Sequence, residues 1–123
     1  MTMPQIHLPH DHGQESAHIF EHLPRQEDFQ PVSDLFRLLG DGNRIRVFWL
    51  LCHCEECVIN LSAMMNMSSP ALSHHLKQLK TAGLIVSRRE GKEVYYKAAN
   101  TDAAKLLHDG IEALIAIRCP REE

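Results

Sequence analysis

No apolar run in this chain reaches the ~18–20 residues needed to cross a bilayer, and the N-terminus lacks the basic-then-apolar order of a secretion signal. The expected compartment is therefore the cytoplasm, where thiols stay reduced. The four cysteines then read as free thiols, metal ligands or redox sensors, not as a disulfide framework. Nucleophile–base pairings, a phosphate-binding loop and a His-Glu-x-x-His metal motif are all missing, so an enzyme is not expected. Internal repeats and low-complexity tracts are missing too. What remains is 123 residues, 44% hydrophobic and 24% charged, which suits one soluble domain with a single modest core.

A net positive charge is also lacking: the formal value is −3, which looks wrong for a nucleic-acid binder until it is divided along the chain. Residues 68–97 carry Lys77, Lys80, Arg88, Arg89, Lys92 and Lys97 against Glu90 and Glu93, an excess of four positive charges. Residues 1–67 hold four basic and nine acidic side chains, and residues 98–123 hold three and five. Positive charge is thus concentrated on one module, and local field matters more to phosphate binding than the total.

Residues 1–27 have no sustained apolar period and contain Pro4, Pro9, Gly13 and Pro24. They read as a mobile, histidine-containing arm with one short helix near Glu15–Leu23. A firmer helix is expected over about Asp28–Leu39, from Val32, Leu35, Phe36 and Leu39 at i, i+3, i+4 and i+7, with Pro31 in its first turn. Gly40-Asp41-Gly42-Asn43 breaks it, and Asp41 or Asn43 can cap a buried central helix over about Arg44–Cys52.

A third helix, Val58–Met65, leads through Asn66-Met67-Ser68 to a fourth, for which Ser69 and Pro70 suit the cap and first position. Leu72, Leu76 and Leu79 make its inward stripe and leave Ser73, His74, Lys77 and Gln78 outward. Gly83 ends it. Ile85–Arg89 and Glu93–Lys97 read as strands joined at Glu90-Gly91-Lys92. A last helix over about Asp102–Ile117 keeps Ala103, Leu107, Gly110, Ile111, Leu114 and Ile117 on one face, which suits a dimer seam.

From Val32 to Ile117 the chain resembles the ArsR/SmtB family of small winged-helix repressors. The carriers are Leu39-Gly40-Asp41 with Arg44-Ile45, the run Ser68-Ser69-Pro70-Ala71-Leu72-Ser73-His74-His75-Leu76-Lys77, Ala82-Gly83-Leu84-Ile85, and Arg88-Arg89-Glu90-Gly91-Lys92 with Val94-Tyr95-Tyr96. The resemblance implies a mainly α, dimeric winged helix-turn-helix fold with a small β-hairpin wing. Residues 28–118 would form the DNA-binding and dimerisation domain, and residues 119–123 a C-terminal tail. The function implied is a homodimer on an operator that lets go when an inducer binds.

A helix fits the major groove, where short polar side chains reach base edges. Ser69, Ser73, His74, Lys77 and Gln78 are the side chains expected to reach them. Arg88, Arg89 and Lys92 would hold phosphates or the minor groove from the wing. His75 belongs to the same run, and either contacts DNA or packs against the module.

For the inducer, the resemblance implies a few alternative sites. The final-helix metal site of the family falls on Asn100, Asp102, Ala113 and Ala116, and alanine cannot ligate. The Cys-x-Cys site at the start of the third helix keeps Cys57 but has Ile59 in second place. Cys52, Cys54 and Cys57 lie within six residues, and Cys52 and Cys54 would diverge by about 200° on a continuous helix. If the helix ends there, three thiolates with a histidine suit a thiophilic or zinc-type ion. His7, His10, His12, His18 and His22 of the arm are accessory ligand candidates, whereas His108 stands isolated on the last helix. Two alternatives compete: a sulfide- or oxidant-responsive thiol pair, Cys52 with Cys119, and a metal-binding interaction module without an operator.

Overall fold

The computed structural model describes residues 7–118, which divide into two compact units between Asp34 and Leu35. In the first unit α1 spans Glu15–Glu21, closed by the His22 amide on the Ile19 carbonyl. Helix α2, Gln26–Leu38, starts two residues before the expected point. Asp28 is not the first residue: it reaches back to accept from the Arg25 amide at 3.1 Å, the reciprocal half of a capping box. Pro31 consequently sits in the second turn, and its missing N–H removes the bond that the Glu27 carbonyl would otherwise accept.

The second unit begins with the last turn of α2, whose Leu35 and Leu38 pack on its core. Helix α3, Gly42–His53, is capped by Asp41, which accepts from the amides of Asn43 and Arg44 at 2.9 and 3.1 Å. These bonds hold the Asp41 carboxyl below the usual aspartate range. Val47, Phe48 and Leu51 are fully or almost fully buried, so α3 is the central helix of the unit.

Helix α4, Val58–Met65, ends at Asn66, whose left-handed backbone (φ 52°) turns the chain sharply into α5, Ser69–Thr81. The cap of α5 is Ser68, one residue earlier than expected: its hydroxyl accepts from the Ala71 amide at 3.3 Å. Ser69 is already helical, and Pro70 follows within the first turn, where no N–H is orphaned. Gly83, at φ 78°, closes α5 by sending its amide to the Lys80 carbonyl and the Leu84 amide to Leu79. Only glycine adopts that angle without strain.

Strands β2 (Ile85–Glu90) and β3 (Glu93–Ala98) pair antiparallel from Ile85 opposite Ala98 to Glu90 opposite Glu93. The two-residue turn has Gly91 at φ 61°, a positive angle suited to tight hairpins. An unexpected third strand, β1 (Glu56–Cys57), adds to the other edge of β3, with Glu56 opposite Tyr96 and Cys57 opposite Tyr95. The sheet order is β1-β3-β2. Helix α6, Asp102–Arg118, buries Ala104 and packs Leu107 and Ile111 on the core. Of the face expected to form a dimer seam, Leu107 and Ile111 thus turn to the core, while Ala103, Gly110, Leu114 and Ile117 stay exposed.

Candidate nucleic-acid interface

Helix α5 has two chemically opposite faces. Leu72, Leu76 and Leu79 are at most 1% exposed and anchor it in the core, whereas Ser69, Ser73, His74 and Lys77 all face solvent. Burying each leucine contributes about 1.5–3 kcal/mol, so the polar face rests on a firmly seated helix. Gln78 departs from the outward set: it is half-buried, with its side-chain carbonyl sealed from solvent and lacking a hydrogen-bond partner among the described residues.

His75 belongs to the inward set. It is 8% exposed, and the Arg44 guanidinium donates from Nε to its Nδ1 at 3.3 Å and from Nη1 to the Leu38 carbonyl at 2.8 Å. Burial lowers its pKa; Asp41 acts in the opposite direction, and Arg44 and His74 lower it further. A neutral His75 thus ties α5 to α3.

The wing presents its cations unequally. Arg88 is held by Glu55, through Nη2 and Nε at 2.7 and 3.0 Å, and by Glu90, and its guanidinium lies 4.6 Å from the Tyr95 ring centre. These contacts raise the Arg88 pKa and lower that of Glu55. Arg89 and Lys92 are exposed and make no ion pair among the described residues. Lys80 donates to the Ser87 hydroxyl at 2.6 Å, linking α5 to the wing.

Among the cysteines, α3 ends at His53 and Cys54 is its extended C-cap, so the break needed for Cys52 and Cys54 to turn toward one region is present. Both line a cleft of about 560 Å³ with His53 and His108. Burial pushes the Cys52 thiol up to about 11, and Cys54 donates to the Leu50 carbonyl. Cys57 is buried in β1. Among the described residues the three sulfurs do not come within ligand distance as a group, and Cys119 lies outside those residues.

In the arm, the rings of His10 and His12 stack at 5.7 Å and that of His18 on α1 lies 4.6 Å from that of His22, the helix's C-cap, while His7 is exposed. The ligand-type atoms that do converge belong to His53, His108 and Glu112. His108 is thus not isolated. Its partner stands 55 positions away, beyond the reach of spacing.

With this geometry in place, comparison with known proteins decides the family. A family model described as "Bacterial regulatory protein, arsR family" matches residues 41–87. The cadmium resistance transcriptional regulatory protein CadC of Listeria innocua is 35% identical over 85 residues, 68% of this chain and 71% of its own. A transcriptional repressor SmtB homolog of Synechocystis is 30% identical over 107 residues, 87% of this chain and 81% of its own. The chain belongs to the ArsR family. It is a DNA-binding transcriptional regulator, not an enzyme. The solution structure of Mb0332 from Mycobacterium bovis, a homodimeric winged helix-turn-helix domain, superposes with a TM-score of 0.68 over 82% of this chain and 94% of that one. At 22% identity it shares the fold.

Proposed function

We propose that this ArsR-family chain is a homodimeric repressor that places two copies of α5 in successive major grooves of an operator and lets go when a metal ion binds. The observation that carries the reading is the solvent-facing set Ser69, Ser73, His74 and Lys77, backed by buried leucines. Those side chains would read base edges, with Arg89 and Lys92 holding phosphates. Arg88 would join them only by leaving Glu55 and Glu90, and Gln78 only by turning outward. A site for two such helices is an approximate palindrome with half-sites about one helical turn apart.

The dimer is supported by the outer side of α6, where Leu106, Leu114 and Ile117 are 72%, 61% and 71% exposed. No helix among the described residues is long and apolar enough to cross a membrane, and an operator-bound regulator works in the cytoplasm. The metal response is supported by a relative named for cadmium resistance and by Cys52 and Cys54 sharing one cleft, which suits a thiophilic ion. Cys52, protonated at neutral pH, would have to lose its proton on binding.

The test is a fluorescence-anisotropy titration of duplexes recovered from a random library by this protein, with and without Cd²⁺ or Zn²⁺. Metal is expected to weaken binding by about 5–150-fold. Replacing Cys52, Cys54 and Cys57 together by serine is expected to preserve binding and abolish release by Cd²⁺. Sequence-blind binding at every salt concentration would refute the operator reading, and an unchanged response in the triple variant would place the sensor outside the thiols.

A further inference from the structure

His53, at the C-terminal end of α3, and His108 and Glu112, one turn apart on α6, bring one ligand atom each into a common space. His53 Nε2 and His108 Nε2 lie 2.9 Å apart, and Glu112 Oε1 is 3.6 Å from the first and 3.3 Å from the second. Zn²⁺ bound tetrahedrally at about 2.0–2.1 Å sets its ligand atoms about 3.3 Å from one another. The three separations bracket that value, so an ion needs shifts of only a few tenths of an ångström. We propose that His53, His108 and Glu112 form a binding site for one divalent ion of the zinc class, clamping α6 to α3.

The surroundings orient these groups as a metal site requires. Asp109 Oδ1 lies 3.1 Å from His108 Nδ1. A proton held there donates to the carboxylate and leaves the Nε2 lone pair facing His53. This is the carboxylate–histidine arrangement that fixes the tautomer of metal ligands. The Trp49 indole donates to Glu112 Oε1 at 2.9 Å, and its ring packs 4.2 Å from that of His53. Both the carboxylate and the second imidazole are thereby positioned from α3.

Without an ion, two facing ring nitrogens at 2.9 Å must share a proton, donated from His53 to His108. A cation takes that proton's place and the proton moves to His53 Nδ1, so each neutral imidazole keeps one N–H and turns its Nε2 lone pair to the ion. The cleft beside His53 and His108 leaves room for a water as fourth ligand. Two imidazoles and a carboxylate suit zinc, cobalt or nickel better than cadmium or arsenic, which favour thiolates.

The ion binding stands without the regulatory reading; only its consequence for DNA rests on it. That consequence follows from α3, which carries the ligand His53 at one end and, at the other, Arg44, the partner of His75 on the recognition helix.

The test uses the reduced full-length chain with the five arm histidines replaced by glutamine, titrated with Zn²⁺ by calorimetry and with Co²⁺ by absorption. In the triple cysteine-to-serine variant one ion per chain is expected, with Co²⁺ bands in the visible and no sulfur-to-cobalt charge transfer in the near ultraviolet. Because His53 and Glu112 are exposed, His53→Ala and Glu112→Gln should keep the circular dichroism spectrum while losing at least 100-fold in Zn²⁺ affinity. Trp49→Phe and Asp109→Asn should each lose about 10-fold, as outer partners of a ligand do. The triple cysteine-to-serine variant should bind unchanged. Full affinity in His53→Ala made in the cysteine-to-serine background, or loss of Zn²⁺ binding in the cysteine variant itself, would overturn the proposal. Ion binding that fails while operator binding persists would remove this site and leave the DNA reading intact.

Discussion

Helices α5 and α6 are built on the same inward plan and differ in what they show the solvent. Each sends small or branched apolar side chains into one core: Leu72, Leu76 and Leu79 from α5, and Ala104, Leu107 and Ile111 from α6. Outward, α5 presents serine, histidine and lysine, whereas α6 presents Leu106, Leu114, Ile115 and Ile117. The inward faces make both helices part of one unit and say nothing about partners. The outward faces differ in what they suit: a polar, cationic face suits the edges and phosphates of DNA, and an apolar face suits a protein surface.

The comparison breaks most severely if the shared core is removed. Leu76→Ala should cost about 2–5 kcal/mol of stability, read by urea unfolding, and should blur both faces together because one core holds both helices. Changing only the outer face of α5 separates them. Lys77→Glu should weaken binding to selected duplexes by about 1–3 kcal/mol, with no change in melting temperature or dimerisation. A matching loss of stability would mean that Lys77 is structural.

A smaller change tests α6 alone. An added Cβ at Gly110 meets nothing within 4 Å in the single chain, so Gly110→Ala gains about 1 kcal/mol of helix stability. If Gly110 lies in a close dimer seam, the same methyl should weaken self-association in sedimentation equilibrium. A dimer as tight as the wild type, with a higher melting temperature, would exclude Gly110 from the seam.

The mildest test concerns pH. His75 has a folded pKa below its unfolded value, so on acidification the unfolded chain takes up the proton first. Stability from neutral His75 is complete above the ordinary histidine pKa of about 6.5 and declines as pH falls below it. His75→Leu should flatten that part of the stability profile, and an unchanged slope would assign it to other groups.

Much of this fold was legible in local patterns, because i, i+4 and i+7 spacing dictates which side chains share a helix face. That rule placed Leu72, Leu76 and Leu79 inward and Ser73, His74 and Lys77 outward. It failed where partners are far apart in the chain. Strand β1 is two residues long and exists only because Tyr95 and Tyr96 stand opposite it. Glu55 takes up Arg88 from 33 positions away, and His53 meets His108 across 55. The capping error was local: Ser68 and Ser69 are both serine, and only backbone angles distinguish them.

The central claim, that the polar face of α5 reads DNA as a symmetric pair, is tested most directly by selecting bound duplexes from a random library with wild-type protein and with Ser73→Ala. The wild type should recover an inverted repeat with half-site centres about one helical turn apart, and the variant should relax preference at the same position in both halves. Recovery of unrelated sequences by the wild type, or of a single unrepeated half-site, would contradict it.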